Sequence, residues 1–117
     1  MYGGRVSHDH SAGAPIDRAQ AAAVAATMQA LATPSRVLIL DRLRRAPSAV
    51  AALADAVGME QSAVSHQLRM LRHLGLVTGE RRGRQVVYAL HDEHVGDLVA
   101  QAVGHVEHVR LGVRGAA

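Results

Sequence analysis

Cysteine is absent from this 117-residue chain. Without thiols the chain can form no disulfide framework, no thiolate metal site and no cysteine nucleophile. Because nothing in such a chain depends on an oxidising compartment, we expect a cytoplasmic protein.

Large aromatic side chains are also scarce. The chain has no Trp and no Phe, its aromatic residues are Tyr2 and Tyr88, and its 49% hydrophobic residues are mostly Ala, Val and Leu. Small side chains build a thin core, and a chain this short buries a small share of its surface. Since an interface between subunits acts as additional core, the composition predicts an obligate oligomer.

Long hydrophobic runs are missing as well. No apolar stretch reaches the roughly 18 residues that cross a bilayer, and residues 1–20 lack the apolar segment of a secretory signal. We therefore expect one soluble domain, without a membrane partner, over residues 16–111. A flexible arm at 1–15, which contains Gly, Ser and His, and a C-terminal tail at 112–117 are expected to flank it.

Lysine is absent too, so all 13 basic residues are arginines, and charge is unevenly distributed. Residues 61–91 contain five arginines and one acid, a net charge of +4. Residues 92–109 contain four acids and no arginine, a net charge of −4. This asymmetry predicts a polyanion as partner of the first block and a cation as partner of the second.

The apolar residues recur at helical spacing in five segments. Asp17 and Thr33 are predicted N-caps of the first two helices, and Gly75 is a predicted stop of the fourth. The helices are expected at about 16–31, 34–45, 49–56, 59–74 and 92–109.

Two β-prone runs, 76–78 and 85–90, flank a glycine- and arginine-rich loop at 79–84 and predict a β-hairpin. Upstream, a short helix, a turn at Gly58 and a longer helix have the spacing of a helix-turn-helix. The predicted fold is therefore mainly α with a β-hairpin wing, a winged helix-turn-helix.

The outer face of the fourth predicted helix carries short polar side chains. Ser and Gln contact base edges or phosphates, and Arg suits guanine or phosphate. The arginines of the hairpin loop are placed to reach the neighbouring minor groove or the DNA backbone. The predicted DNA-binding residues are Gln61, Ser62, Ser65, His66, Gln67, Arg69, Arg72, Arg81, Arg82 and Arg84.

Four candidate metal ligands lie on the last predicted helix: Asp92, His94, His105 and His108. His94 and His105 differ by about 20° around a helix, yet the two donor pairs are separated by about 17–24 Å along it. One helix therefore cannot hold a single ion with all four. An antiparallel partner copy would bring the two pairs together and create two identical sites.

Imidazole and carboxylate without thiolate suit borderline divalent ions, namely Zn(II), Co(II) and Ni(II). Four ligands complete a tetrahedral zinc site, whereas an octahedral nickel or cobalt site needs two more. Water or the N-terminal arm are the candidate sources, and the arm offers His8 and His10.

Three stretches, ALATPSRVLIL, GMEQSAVSHQLRMLRHLGLV and RRGRQVVYAL, closely resemble the ArsR/SmtB family of metal-responsive bacterial repressors. The resemblance covers about residues 17–111. It implies a homodimer formed through the first and last helices, an operator with inverted repeats, and a recognition helix that includes Ser62, Ser65, His66 and Gln67.

The resemblance also bears on the metal. The D-x-H and H-x-x-H pattern of the last helix resembles the sensing site of the family, and the surrounding chain looks most like the nickel- and cobalt-sensing members. The cysteine pair that other members carry in the first helix of the reading motif is absent here, which excludes thiophilic sensing there. Those members can use further C-terminal histidines and a Gly-His amino terminus, whereas this chain has Arg110 after its last histidine and begins with Met1-Tyr2-Gly3. These departures leave the coordination number open.

Alternative functions remain open from the sequence. One is a winged-helix transcription factor whose metal site is structural or degenerate and which is controlled by a regulatory protein partner or acts as an activator. Another is a metal-storage or delivery protein, against which the arginine-rich wing argues. An enzyme is not expected, because the chain has no Gly-x-Ser-x-Gly elbow and no phosphate loop.

Overall fold

The computed structural model describes residues 13–116, and the side chains of residues 13–112. In this range the fold is mainly α with a small antiparallel sheet, as predicted. Its elements are α1 (Arg18–Ala30), α2 (Pro34–Arg45), β1 (Ser48–Ala49), α3 (Val50–Val57), α4 (Gln61–His73), β2 (Val77–Arg82), β3 (Gln85–Leu90) and α5 (Glu93–Ala116).

The first two helices begin at the predicted caps. The Asp17 carboxylate accepts the Gln20 N–H at 2.8 Å, and the Gln20 side chain accepts the Asp17 N–H at 2.9 Å. At α2, the Thr33 hydroxyl accepts the Arg36 N–H at 3.3 Å and Pro34 occupies the first turn. Each cap satisfies an N–H group that the helix itself leaves without a partner.

The helix-turn-helix consists of α3 and α4, and each of these two helices ends at a glycine in the left-handed conformation. Gly58 ends α3 with φ of +71°, and Gly75 follows α4 with φ of +78°. The Leu76 N–H donates to the Leu71 carbonyl at 2.9 Å, and the Gly75 N–H donates to Arg72 at 3.0 Å. This Schellman pattern stops the recognition helix and turns the chain into the wing.

The wing differs from its prediction in two ways. Strand β2 extends through Arg82, so the expected loop 79–84 shrinks to the turn residues Gly83 and Arg84. Gly83 has φ of +64°, which the mirror-image turns of two-residue hairpins require. The second difference is β1, which pairs antiparallel with β3 and gives the sheet the order β1-β3-β2. Both escaped prediction because polar or very short strands carry no alternating apolar signal.

The last helix is longer than predicted. It continues past Val109 to Ala116, so residues 112–116, expected as a tail, extend α5. The reason lies in residues 110–116, which contain no proline. Gly112 does not adopt the positive φ with which Gly58 and Gly75 end the earlier helices.

The core lies between α2, α3, α4, the sheet and the first half of α5, and its members are small as expected. Its fully buried side chains are Ile39, Leu40, Leu53, Val64, Leu68, Leu71 and Val77, and Tyr88 is 6% exposed. Outside this core, α1 and α5 leave large apolar side chains exposed. These include Val24, Met28, Leu98, Val103, Val106 and Val109.

Within residues 13–116, no single helix is long and apolar enough to cross a bilayer. The pair α1 and α2 meets that criterion only when both are counted together, and the two helices are bent by 90° at their junction.

Gly79 provides a test of the packing between the wing and the core. A Cβ at this position would lie 3.0 Å from Tyr88 Cε1 and 3.1 Å from Val86 Cγ1, and the Tyr88 ring is held in the core. We expect Gly79→Ala to lower the free energy of unfolding by about 1–3 kcal/mol, because overpacking forces the neighbours to move. Urea denaturation followed by circular dichroism measures this free energy.

Glu80→Ala is the control, because Glu80 is the next residue of the strand and is exposed. This variant should change the free energy of unfolding by less than about 1 kcal/mol. Equal losses in both variants would contradict the packing of Gly79 against Tyr88.

Candidate nucleic-acid interface and metal site

The recognition helix α4 separates a buried face from a polar outer face. Val64, Leu68 and Leu71 are fully buried against the core. Because they recur at helical spacing, the opposite face points to solvent. The predicted DNA-binding residues that are exposed on this helix are Gln61, Ser62, His66, Arg69 and Arg72.

A groove lies between α4 and the wing. It has a volume of about 290 Å³, and Gln61 and Ser65 of α4 form one wall while Arg84 and Gln85 form the other. Ser65 is half-buried and lines this groove. Sequence reasoning missed Gln85, which was assigned to a strand; its position directly after the arginine-rich turn was the signal.

The three wing arginines differ in their electrostatic surroundings. Arg82 donates to Glu80 Oε1 from Nη2 at 2.9 Å and from Nε at 3.2 Å, in an exposed ion pair. Arg81 and Arg84 are exposed, and no carboxylate of the described chain lies within ion-pair distance of either. Within the described residues, these two arginines are therefore wing charges without an internal carboxylate partner that would compete with a phosphate.

Gln67 lies apart from the other predicted DNA-binding residues. Its side chain is half-buried on the flank of α4, and Oε1 accepts a hydrogen bond from Arg36 Nε at 2.8 Å. The structure thus gives Gln67 a contact inside the protein, whereas its assignment to the DNA surface stays a prediction. Sequence reasoning missed this contact because Arg36 lies 31 residues away.

The first half of the predicted metal site is the start of α5. Asp92 occupies the N-cap position, where Oδ1 accepts the Val95 N–H at 3.3 Å. The other oxygen, Oδ2, lies 3.6 Å from His94 Nδ1 and 3.3 Å from His91 Nδ1. His91 was not predicted as part of this group, although its place beside Asp92 in the sequence was a signal.

The surroundings of Asp92 favour its ionised form. Partial desolvation raises the pKa of the carboxyl group. Hydrogen bonds from His91, the Val95 N–H and His94 lower this pKa, and their combined effect is larger. The net pKa of Asp92 lies below the ordinary value. A carboxylate that is ionised at neutral pH beside a histidine is a suitable donor pair for a divalent transition metal.

The second half of the predicted site is not near the first within one protomer. His105 and His108 are exposed on the distal part of α5, about 17–24 Å along the helix from Asp92 and His94. Among the described residues of one chain, no three His, Cys, Asp or Glu side chains converge as a metal site. His8 and His10 lie outside the described residues.

Comparison with known sequences identifies the family of the chain. Residues 33–78 match the family described as bacterial regulatory protein, arsR family. The chain is 60% identical over 100 residues to the HTH-type transcriptional regulator NmtR of Mycobacterium tuberculosis, which covers 86% of this chain and 83% of that relative.

Two solved structures share the fold. The solution structure of apo-NmtR superposes with a TM-score of 0.71 at 60% identity, covering 82% of this chain and 81% of that chain. A homodimeric winged helix-turn-helix DNA-binding domain from Mycobacterium bovis gives a TM-score of 0.69 at 37% identity, covering 82% and 94%. The chain therefore belongs to the ArsR family of metal-responsive regulators, and it is a DNA-binding regulator of transcription.

Proposed function

We propose that this regulator is a homodimeric repressor that binds an operator with inverted repeats and is released by Ni(II), Co(II) or Zn(II) at its dimer interface. It acts in the cytoplasm, where its DNA target lies. The observation that carries the proposal is the division of candidate metal donors between the start and the second half of α5, with one pair at the junction to the DNA-reading unit.

The dimer rests on the apolar surface that one protomer leaves uncovered. Met28 and Leu31 at the end of α1 face Leu98 and Ala102 of α5 across an apolar groove of about 240 Å³. Contiguous apolar surface of this kind marks an interface. A second copy seated on α1 and α5 supplies the core that the small side chains of one chain lack.

A two-fold axis between antiparallel α5 helices places Asp92 and His94 of one protomer beside His105 and His108 of the partner subunit. Because Asp92 Oδ1 caps the helix, Oδ2 is the oxygen that remains for a ligand role, so the helix start and the site do not compete. A bound divalent ion of this class supplies one electrophilic centre that holds nitrogen and oxygen donors in fixed geometry.

The start of α5 is joined directly to the DNA-reading unit. The His91 N–H donates to the Leu76 carbonyl at 3.0 Å, and Leu76 itself closes the end of α4. A shift of Asp92 and His94 toward the partner subunit therefore acts on the residue that fixes the recognition helix. By linkage, if the ion lowers operator affinity, operator DNA must lower the affinity for the ion by the same factor.

Subunit exchange tests whether the site is shared. We expect Asp92→Asn/His94→Ala homodimers and His105→Ala/His108→Ala homodimers to lose high-affinity Ni(II) binding, because each lacks one half of both sites. Asn at position 92 keeps an N-cap oxygen, so α5 still begins normally. When the two variants are unfolded together and refolded, each heterodimer regains one complete site, and equilibrium dialysis measures its stoichiometry.

The control for this exchange is the same mixture analysed without unfolding, in which subunits stay paired and binding stays low. Restored binding only after exchange supports ligands from two subunits. If either homodimer alone binds Ni(II) as the parent protein does, or if exchange restores nothing, the shared site is wrong.

The wing makes a separate prediction about DNA. Arg84→Ala should reduce the slope of log affinity against log salt concentration by about 0.9, since each neutralised phosphate releases counterions. Fluorescence anisotropy with an inverted-repeat duplex selected by the protein from a random pool measures this slope. Arg45→Ala removes an exposed charge from α2 and is the control; an equal change in both variants would rule out a specific wing contact.

A further inference from the structure

Arg36 lies in the first turn of α2, and its guanidinium bridges two other helices. Nε donates to Gln67 Oε1 at 2.8 Å, and Nη1 donates to the Ala30 carbonyl at 3.1 Å. Nη2 lies 3.6 Å from the sulfur of Met70. One half-buried side chain thus holds groups from α1 and α4 at the same time.

The acceptor in α1 sits where that helix is anchored. Ala30 is the last residue of α1 and its buried residue, whereas residues 21–29 are exposed. A carbonyl at a helix C-terminus has no partner within the helix and carries partial negative charge. A guanidinium satisfies both needs, so Arg36 fastens the end of α1 to the body of the protomer.

The acceptors in α4 lie on the flank of the recognition helix. Gln67 and Met70 stand three residues apart and contact different nitrogens of the guanidinium, Nε and Nη2. Neither belongs to the buried stripe of Val64, Leu68 and Leu71. The hydrogen bond to Gln67 therefore limits rotation of α4 about its own axis. Only arginine fits this place, because its planar fork presents several N–H groups in fixed directions whereas lysine is a point donor.

We infer that Arg36 is a positioning residue that fixes the orientation of the recognition helix relative to α1, with Gln67 as its acceptor in α4. The inference rests on the proposed function in one respect, the dimer that α1 helps to form. In that dimer, Arg36 sets the distance and relative orientation of the two recognition helices. It therefore sets the spacing of the half-sites that both helices can bind at the same time.

The absence of cysteine allows a direct test of this geometry. His73→Cys places a single exposed thiol at the end of α4, and a nitroxide label there reports the distance between the two recognition helices by pulsed electron paramagnetic resonance. We expect Arg36→Ala to broaden the distance distribution. Arg42→Ala is the matched control, because Arg42 donates to Ala46 at 3.1 Å and lies on the same helix.

Operator binding separates positioning from general loss of structure. Arg36→Ala should weaken binding to the selected inverted repeat by about tenfold, while affinity for a duplex with one half-site changes less than about twofold. Global destabilisation would reduce both. Gln67→Ala should act in the same direction as Arg36→Ala, because it removes the acceptor of the same bond.

Each outcome decides the inference. If the distance distribution is as narrow in Arg36→Ala as in Arg42→Ala, the positioning role of Arg36 is overturned. The proposed function, operator binding controlled by metal, would not be affected by that result. Equal loss on full and half-site duplexes in Gln67→Ala, with the free energy of unfolding unchanged in urea, assigns Gln67 to base contact and also overturns it. If the labelled parent protein shows no dipolar coupling, the dimer itself is refuted, and this inference with it.

Discussion

His94 and His105 lie on one helix, eleven positions apart, so they share a face yet stand more than 15 Å apart along the axis. A rigid helix cannot fold back to bring its two donor pairs onto one ion. The proposed site is therefore possible only between two protomers, and a ligand that requires both protomers reports directly on their arrangement. In the proposed site, the length of α5 thus links metal binding to quaternary structure.

The start of α5 makes that link useful for regulation. Asp92 begins the helix through one carboxylate oxygen and faces His91 and His94 through the other. His91 in turn is bonded through its backbone to Leu76, where the recognition helix ends and the wing begins. The proposed metal donors at the start of α5 are consequently connected to the end of the recognition helix through His91, one backbone hydrogen bond and residues 74–76, rather than by a long path through the core.

The sequence was most informative where local chemistry decides structure. Thr33 with Pro34, and the glycines at 58 and 75, marked helix boundaries that the structure confirms, because caps and left-handed turns depend on a few adjacent residues. The apolar stripe of α4 also identified its outer face correctly. These features carry the fold class and most of the exposed DNA-binding candidates.

Prediction was weaker where the decisive partner is distant in sequence. The two-residue strand β1 exists because β3 offers it an edge, and the inward contact of Gln67 exists because Arg36 lies beside it in space. Helix α5 continues to Ala116 because no stop signal ends it earlier. This was hard to predict, since glycines such as those at 112 and 115 often mark the end of a helix. The shared metal site is a property of two chains, and periodicity on one helix could indicate it but not establish it.

The central claim is that metal and operator compete for this protein through its dimer. The most direct measurement is titration of Ni(II), Co(II) and Zn(II) into the protein bound to its selected inverted-repeat duplex, followed by fluorescence anisotropy. The account predicts that at least one of these ions lowers operator affinity, and that operator DNA lowers the affinity for that ion by the same factor. Operator affinity that is unchanged by all three ions would contradict it.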